Sequence, residues 1–243
     1  MQAGIPSTSA SLATPLRMKV SETREERSAA FQLVHRVYRR AGLTADNQMQ
    51  MRVIPHHLLD TTEVLIAQQA EQVTFTITLV RDGLEGLPSE SLFAEQVAAM
   101  RSDGLSLAEV SCVASNCGDE NKKERFETLV RMISLTIHTA RQRGVDRLLL
   151  AVHPRHAKVY QRLFGCVPCS GVEQYEAVQG KPAVLCMHDF DELDRRRYPL
   201  YDHVYGHQYA PWQLAGAPMS LDEKEFFHQA ISVHSDQLVP MAA

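Results

Sequence analysis

Residues 121–143 place Phe126, Leu129, Val130, Ile133, Ile137 and Ala140 on one stripe of a 3.6-residue period, and the pattern stops at Gly144. A long amphipathic helix must bury that stripe against another layer. The run that follows, residues 147–152 (RLLLAV), is apolar through its middle, as in a strand covered on both faces. A strand is also expected before the helix, at 106–114. Strand, long helix, buried strand is a parallel crossover unit, which commits the chain to an α/β sheet with helices on its faces.

The remaining elements are read around that unit. A first helix runs from residue 22, with Ala30, Phe31, Val34, Val37 and Tyr38 at helical spacing before Gly42. Strands at 63–68 and 73–80 form a hairpin, the second alternating Val73, Phe75, Ile77 and Leu79 with threonines. The segment DGLEGLP (82–88) is turn chemistry, and Leu92, Phe93, Val97 and Met100 then mark a short amphipathic helix closed by Gly104. Pro154 opens another short helix, with Tyr160, Leu163 and Phe164 on one face and Gly165 at its end. Strands are expected at 172–178 and 183–188. After Asp189 the composition shifts to mixed acids, a triple arginine and many aromatics, and a last helix is expected at 221–233. This divides the chain into a disordered terminus (1–16), one catalytic-size domain (17–190) and a C-terminal extension (191–243).

Bulk properties exclude several classes. No apolar run reaches the length that spans a bilayer, and the first fifteen residues lack the charged start and apolar block of a signal peptide. Five cysteines, an odd number, do not make a disulfide framework. These features suit a cytoplasmic protein. The formal charge of -4 argues against nucleic acid as the main partner.

The order of elements resembles the Gcn5-related N-acyltransferase fold, in which the fourth and fifth strands splay apart and an acyl thioester lies in the gap. Within that superfamily the words LVRDGLEGLPSESLFAEQVAAMR, LAEVSCVAS, VHPRHAKVYQRLFGC and VQGKPAVLCMHDF are similar to those of the long-chain N-acyl amino acid synthases, relatives of the acyl-homoserine lactone synthases, over about residues 20–190. The resemblance implies transfer of a long-chain fatty acyl group to the α-amine of an amino acid by direct attack on a thioester. Relatives that use coenzyme A carry a glycine-rich loop after the fourth strand, whose amides bind pyrophosphate. Here that loop reads SNCGDENKKE, with one glycine and the charges of Asp119 and Glu120. The expected donor is therefore acyl carrier protein, which brings its own phosphopantetheine thioester; no resident cofactor and no metal are expected. Arg36, Arg39, Arg40, Lys122, Lys123 and Arg125 are the candidate docking cations, and an ordinary solvated face accounts for them equally well.

The resemblance assigns the base to Glu109, in the AEV word of the strand that meets the thioester, against the plainer reading of an edge carboxylate paired with an arginine. Tyr160 matches the tyrosine that many relatives aim at the leaving sulfur, or is a packed aromatic. Backbone amides at 111–113, Ser111 among them, are the expected oxyanion donors. The HPRH corner lies at the carboxyl end of a buried strand, where ligand sites gather. Arg155 or a flanking histidine is expected to grip the acceptor carboxylate, with His153 or His156 as a secondary proton carrier; the alternative is that the corner only caps a helix. Asp82 and Glu95 stand at family positions that orient substrate or close an ion pair. Phe75, Ile77, Leu92, Phe93, Val97 and Met100 are the expected acyl-chain walls, or ordinary core. Cys112 stands where these families commonly show arginine, leaving two rivals open: a cysteine nucleophile with His153 as its base, or an acyl-binding module without turnover. A coenzyme A dependent acetyltransferase is the remaining alternative.

Overall fold

The computed structural model describes residues 15–116 and 121–231. The chain runs through β1 (Arg17–Val20), α1 (Arg24–Arg40), a 3-10 turn at Pro55–Leu58, β2 (Thr62–Gln69), β3 (Gln72–Arg81), α2 (Glu90–Ser102), β4 (Leu107–Ser115) and α3 (Lys122–Gln142). It continues through β5 (Arg147–Val152), α4 (Pro154–Phe164), β6 (Val167–Tyr175) and β7 (Lys181–Asp189). The short helices α5 (Phe190–Arg196), α6 (Tyr201–Tyr205), α7 (Pro211–Leu214) and α8 (Leu221–His228) follow. The strands form one sheet in the order β1-β2-β3-β4-β5-β7-β6. Neighbours are antiparallel except β4 and β5, which run parallel because α3 carries the chain back across the sheet.

Local chemistry starts and stops the helices that matter. Thr23 and Glu26 form a capping box at the start of α1, and the Asn121 side chain accepts the N–H groups of Lys123 and Glu124 at the start of α3 (both 3.0 Å). Gly165 ends α4 at φ +70, where a Cβ would stand 2.5 Å from Leu193 and 3.1 Å from Tyr198. Glycine is thus needed there both for its backbone conformation and for the close approach of the chain beyond β7.

The sheet is covered on both faces. On one, α3 and α4 bury Met132, Leu135, Ile137, Ala157 and Phe164 against Ile77, Leu79, Ala108, Leu148 and Leu150. On the other, α1 lays Phe31 and Val34 over Val64, Ile66, Cys112 and Ala114, while α2 lays Phe93 and Val97 over Val80, Leu107, Leu149 and Leu185. Glu109 belongs to this second face, between the α1 and α2 clusters.

Several boundaries differ from the sequence reading. β1 was not expected, being only four residues long. β6 begins at Val167 and ends at Tyr175, and residues 176–178 form a 3-10 turn, not strand. As the outer strand it is largely exposed and carries Pro168, so no apolar period marks it. The last helix ends at His228. α5, α6 and α7 are too short for a helical period to show in sequence. Most of the terminus expected to be disordered, the part of the last helix beyond residue 231, and Asp119 and Glu120 of the loop lie outside the described residues.

The C-terminal segment wraps the sheet edge. Val204 of α6 is buried in the α3-face core, and its carbonyl accepts the Ser134 hydroxyl (2.5 Å). Gln213 of α7 donates to the Met18 carbonyl on β1 (2.9 Å), covering that edge. Phe227 of α8 then meets Phe31 edge-on, and Ile231 forms a parallel bridge with Val53.

Candidate active site

β4 and β5 pair only from Leu107 to Glu109 against Arg147 to Leu149. Beyond these residues β4 stays with β3 and β5 stays with β7, so a gap opens between the two central strands. The β3–β4 register shifts between Thr76 and Thr78, and at this bulge Cys112 takes φ +51, a left-handed conformation unfavourable for a residue with a side chain. A bulge beside a gap turns strand amides away from the ladder and toward whatever enters the gap.

Glu109 sits at the last paired position, 3% exposed. Its carboxylate accepts the Ser89 backbone N–H (2.8 Å), and no ion pair with a cation forms among the described residues. The arginine-paired edge carboxylate is therefore not what the structure has. Burial pushes the carboxyl up to about 7; the Ser89 hydrogen bonds pull it down, and the charge of Glu90 adds to the rise. Ser89 is itself fixed by the turn that precedes α2. Arg101 clamps Asp82 (2.6 and 2.8 Å) and Glu90 (2.6 Å and a second, shorter contact), and the Glu90 carboxylate accepts the Leu87 N–H (2.6 Å). The Tyr175 hydroxyl donates to the Pro88 carbonyl (3.1 Å) on the same turn.

Around the gap stand residues that the sequence reading did not select. His57 is buried and stacks flat on Phe31 (5.1 Å). Its Nδ1 faces the Ile54 N–H at 3.4 Å, so Nε2 carries the proton and points at the Cys112 sulfur, 3.7 Å away. In that tautomer His57 cannot take a proton from Cys112, and burial holds its own pKa down at about 3. Tyr38, in the last turn of α1, has its pKa raised by burial, with Cys112, Tyr160 and Tyr175 adding to the rise and Arg52 opposing it. Ser89 lies in the family word at 79–101 without being singled out by it, and no short motif marks His57, Tyr38, Arg52 or Tyr175; tertiary folding brings them together.

Tyr160 lies toward the α3 face of the gap. Burial pushes its hydroxyl up to about 12, and its ring packs 6.0 Å from Phe164. It lines an apolar cavity of about 40 Å3 between α3, α4 and the parting strands, with Ile77, Val110, Val113, Ile133 and Leu148. Of the six expected acyl-chain residues only Ile77 lines this cavity. Phe75 shares its core, whereas Leu92, Phe93, Val97 and Met100 pack under α2 on the opposite face. The six therefore do not form one channel.

The HPRH corner is a helix start. The His153 Nδ1 accepts the Arg155 N–H (3.1 Å) and caps α4, while Arg155 and His156 are exposed. The expected grip on a carboxylate at Arg155 has no built surroundings. Asp82 closes the ion pair with Arg101, and Glu95 is exposed on α2. Ser111 is in the bulge, its hydroxyl 3.5 Å from the Cys112 sulfur. Of the docking cations, Arg39 is tied to Asp46 (2.7 Å) and Lys123 lies 3.7 Å from Glu127; Arg36, Arg40, Lys122 and Arg125 form no ion pair among the described residues.

A family model for "N-acyl amino acid synthase FeeM" matches residues 29–189. Among solved structures, FeeM, an N-acyl amino acid synthase from uncultured soil microbes, superposes with a TM-score of 0.67 at 22% identity, covering 78% of this chain and 99% of that one. The coenzyme A dependent acyl-homoserine lactone synthase BjaI gives a TM-score of 0.55 at 14% identity, covering 88% and 99%. An acyl-CoA N-acyltransferase from Pseudomonas aeruginosa gives 0.50 at 15% identity, covering 72% and 99%. Curated proteins offer no match.

Proposed function

The chain belongs to the N-acyl amino acid synthase FeeM family, with the Gcn5-related N-acyltransferase fold, and on that premise we propose that it moves a long-chain fatty acyl group from acyl carrier protein to the α-amine of an amino acid. Glu109 carries the reading. A carboxyl buried where the central strands part, with a pKa of about 7, is poised to accept a proton near neutral pH. The acceptor reacts as its neutral amine, having left one proton to solvent; its nitrogen attacks the thioester carbonyl, the N–C bond forms, and the proton the nitrogen then sheds passes to Glu109. The oxyanion is met by backbone N–H groups of residues 111–113, which lack β5 as a partner and are turned by the Cys112 bulge. The C–S bond then breaks, and the departing phosphopantetheine sulfur takes the Tyr160 hydroxyl proton, which returns to the tyrosine from Glu109 through solvent.

Direct attack is favoured over an acyl-cysteine because the buried thiol of Cys112 has no base: the facing nitrogen of His57 is a donor. The seam between α3 and α4 replaces the α2 face as the proposed path of the acyl chain. The cavity there, about 40 Å3, is far smaller than a long chain, so α3 and α4 must part to admit one; each methylene then buried contributes about 0.8 kcal/mol, and long chains can supply the affinity that a nucleotide supplies elsewhere. Carrier protein is preferred to coenzyme A because the loop after β4 carries Asp119 and Glu120 where a pyrophosphate would need amides. The relatives with coenzyme A in their descriptions keep the second donor in the test.

The purified protein is incubated with a pool of amino acids and either acylated carrier protein or the matching coenzyme A thioesters, and products are read by mass spectrometry. N-acyl amino acids of roughly twelve to sixteen carbons, formed far faster from the carrier, are expected. Equal rates with both donors would remove the carrier from the account. No amide from either would leave only an acyl-binding module.

A further inference from the structure

A cleft of about 680 Å3 opens beyond the end of α1, walled by residues 44–49 and 52–55, by the β6–β7 connection at 176–179, and by the C-terminal segment at 229–231. Arg52 is in its wall. The guanidinium donates to the Thr44 hydroxyl (3.2 Å) and the Ala177 carbonyl (2.8 Å) and lies over the Tyr38 ring (5.2 Å). Two of its five N–H donors are thus used. The Nε–H is buried without an acceptor, and no carboxylate among the described residues pairs with the group. A buried, unpaired guanidinium donor is unfavourable until an anion meets it, and a planar carboxylate is the anion its fork fits.

A chain of contacts links the cleft wall to the turn that holds Glu109. Glu109 is held by Ser89, next to Pro88, whose carbonyl receives the Tyr175 hydroxyl; Tyr175 leads directly into residues 176 and 177 of the cleft wall, where Arg52 is anchored. We propose that this cleft receives the acceptor amino acid, with its α-carboxylate on Arg52, its amine toward Glu109 and its side chain against the C-terminal wall. The proposal rests on the acyl-transfer reading above. Met49, Val53, Ile54, Ala230 and Ile231 make much of the lining apolar, while Asp46 and Glu176 also border it. The site therefore suits a large neutral side chain and repels aspartate and glutamate. The 229–231 wall, pinned by the Val53–Ile231 bridge, lies beyond the family match, which ends at 189, so it is a specificity element from this chain's own extension.

The test compares wild type, Arg52→Gln and Gln229→Trp at saturating long-chain donor. Wild type should use a large neutral amino acid and largely ignore its carboxamide. Arg52→Gln should raise the acceptor KM about ten- to hundredfold, leave the donor KM within about twofold, and use acid and carboxamide alike. Gln229→Trp should shift acceptor choice toward small side chains at unchanged donor KM. If Arg52→Gln fails to fold, the wild-type comparison of acid with carboxamide decides alone. An unchanged acceptor KM in Arg52→Gln, an equal shift in donor KM, or equal wild-type use of the carboxamide overturns the carboxylate assignment while leaving acyl transfer standing. An absence of any N-acyl amino acid in wild type overturns both.

Discussion

Burial raises the Glu109 carboxyl to about 7, so the charge needed for proton acceptance costs folding free energy. Below the unfolded value of 4.5 the group is neutral in both states. As pH rises through that value the unfolded chain loses the proton first, and stability falls until the folded carboxyl ionises near 7, where the penalty is on the order of 3 kcal/mol. Glu109→Gln, which can still accept from Ser89, should therefore be more stable than wild type by about 1–3 kcal/mol at pH 8 and no more stable at pH 4, read by urea unfolding. A variant that is less stable at pH 8 would mean that the carboxylate is a structural charge. The AEV word made this residue legible in sequence. The HPRH corner was legible only as a choice between a carboxylate grip and a helix cap; the structure shows the cap, with the helix that begins there turning position 155 to solvent. Arg52 and His57 gave no signal, since neither sits in a recognisable spacing and each gains its role from a segment far along the chain.

At the scale of elements, the start of α2 is a positioning device. Arg101 holds Asp82 and Glu90, and through them the turn whose Ser89 N–H lowers the Glu109 pKa. Arg101→Met should cut kcat about tenfold, leave donor KM nearly unchanged and move the pH midpoint of kcat upward, because a loosened Ser89 no longer favours the ionised form. A lower rate with an unmoved midpoint would make Arg101 a fold residue only. The chain path separates two further variants. Val113→Trp in the α3–α4 seam should shorten the preferred acyl chain, whereas Val97→Trp under α2 should cost about 1–3 kcal/mol by overpacking without changing the chain-length profile. The reverse result would restore the α2 face as the channel. Periodicity had shown the hairpin, the long helix and the crossover, yet it could not say which face each residue serves. β3 is buried on both faces, and the register shifts against β2 and β4 change the face of residues that simple alternation would place together.

Across the whole molecule, the extension beyond β7 ties the α3 face, the β1 edge and the cleft past α1 into one unit. Its helices are short and its contacts distant in sequence, as with Gln213 on Met18 and Phe227 on Phe31, so composition could mark it as different without showing where it packs. His57 and His188, held down at about 3 and about 4 by burial, bind protons more readily once unfolded. In Glu109→Gln, which lacks the opposing carboxyl, stability should therefore fall as pH drops from 6.5 toward 4, and a thermal midpoint flat over that range would show that these imidazoles are not buried neutral. On the surface, Arg40→Glu with Lys122→Glu should raise the KM for acylated carrier about tenfold and flatten its salt dependence, without affecting a short pantetheine thioester. An equal loss with both donors would remove these cations from docking. The central claim, a buried glutamate acting as base in direct acyl transfer, is tested most directly by single-turnover rates against pH for wild type and Glu109→Gln with acylated carrier and saturating amino acid. The account predicts a wild-type rise with a midpoint near 7, absent from a variant slowed at least about a hundredfold, with no acyl group retained on the protein. A variant with the same midpoint and near-normal rate, or a transient acyl adduct on Cys112, would contradict it.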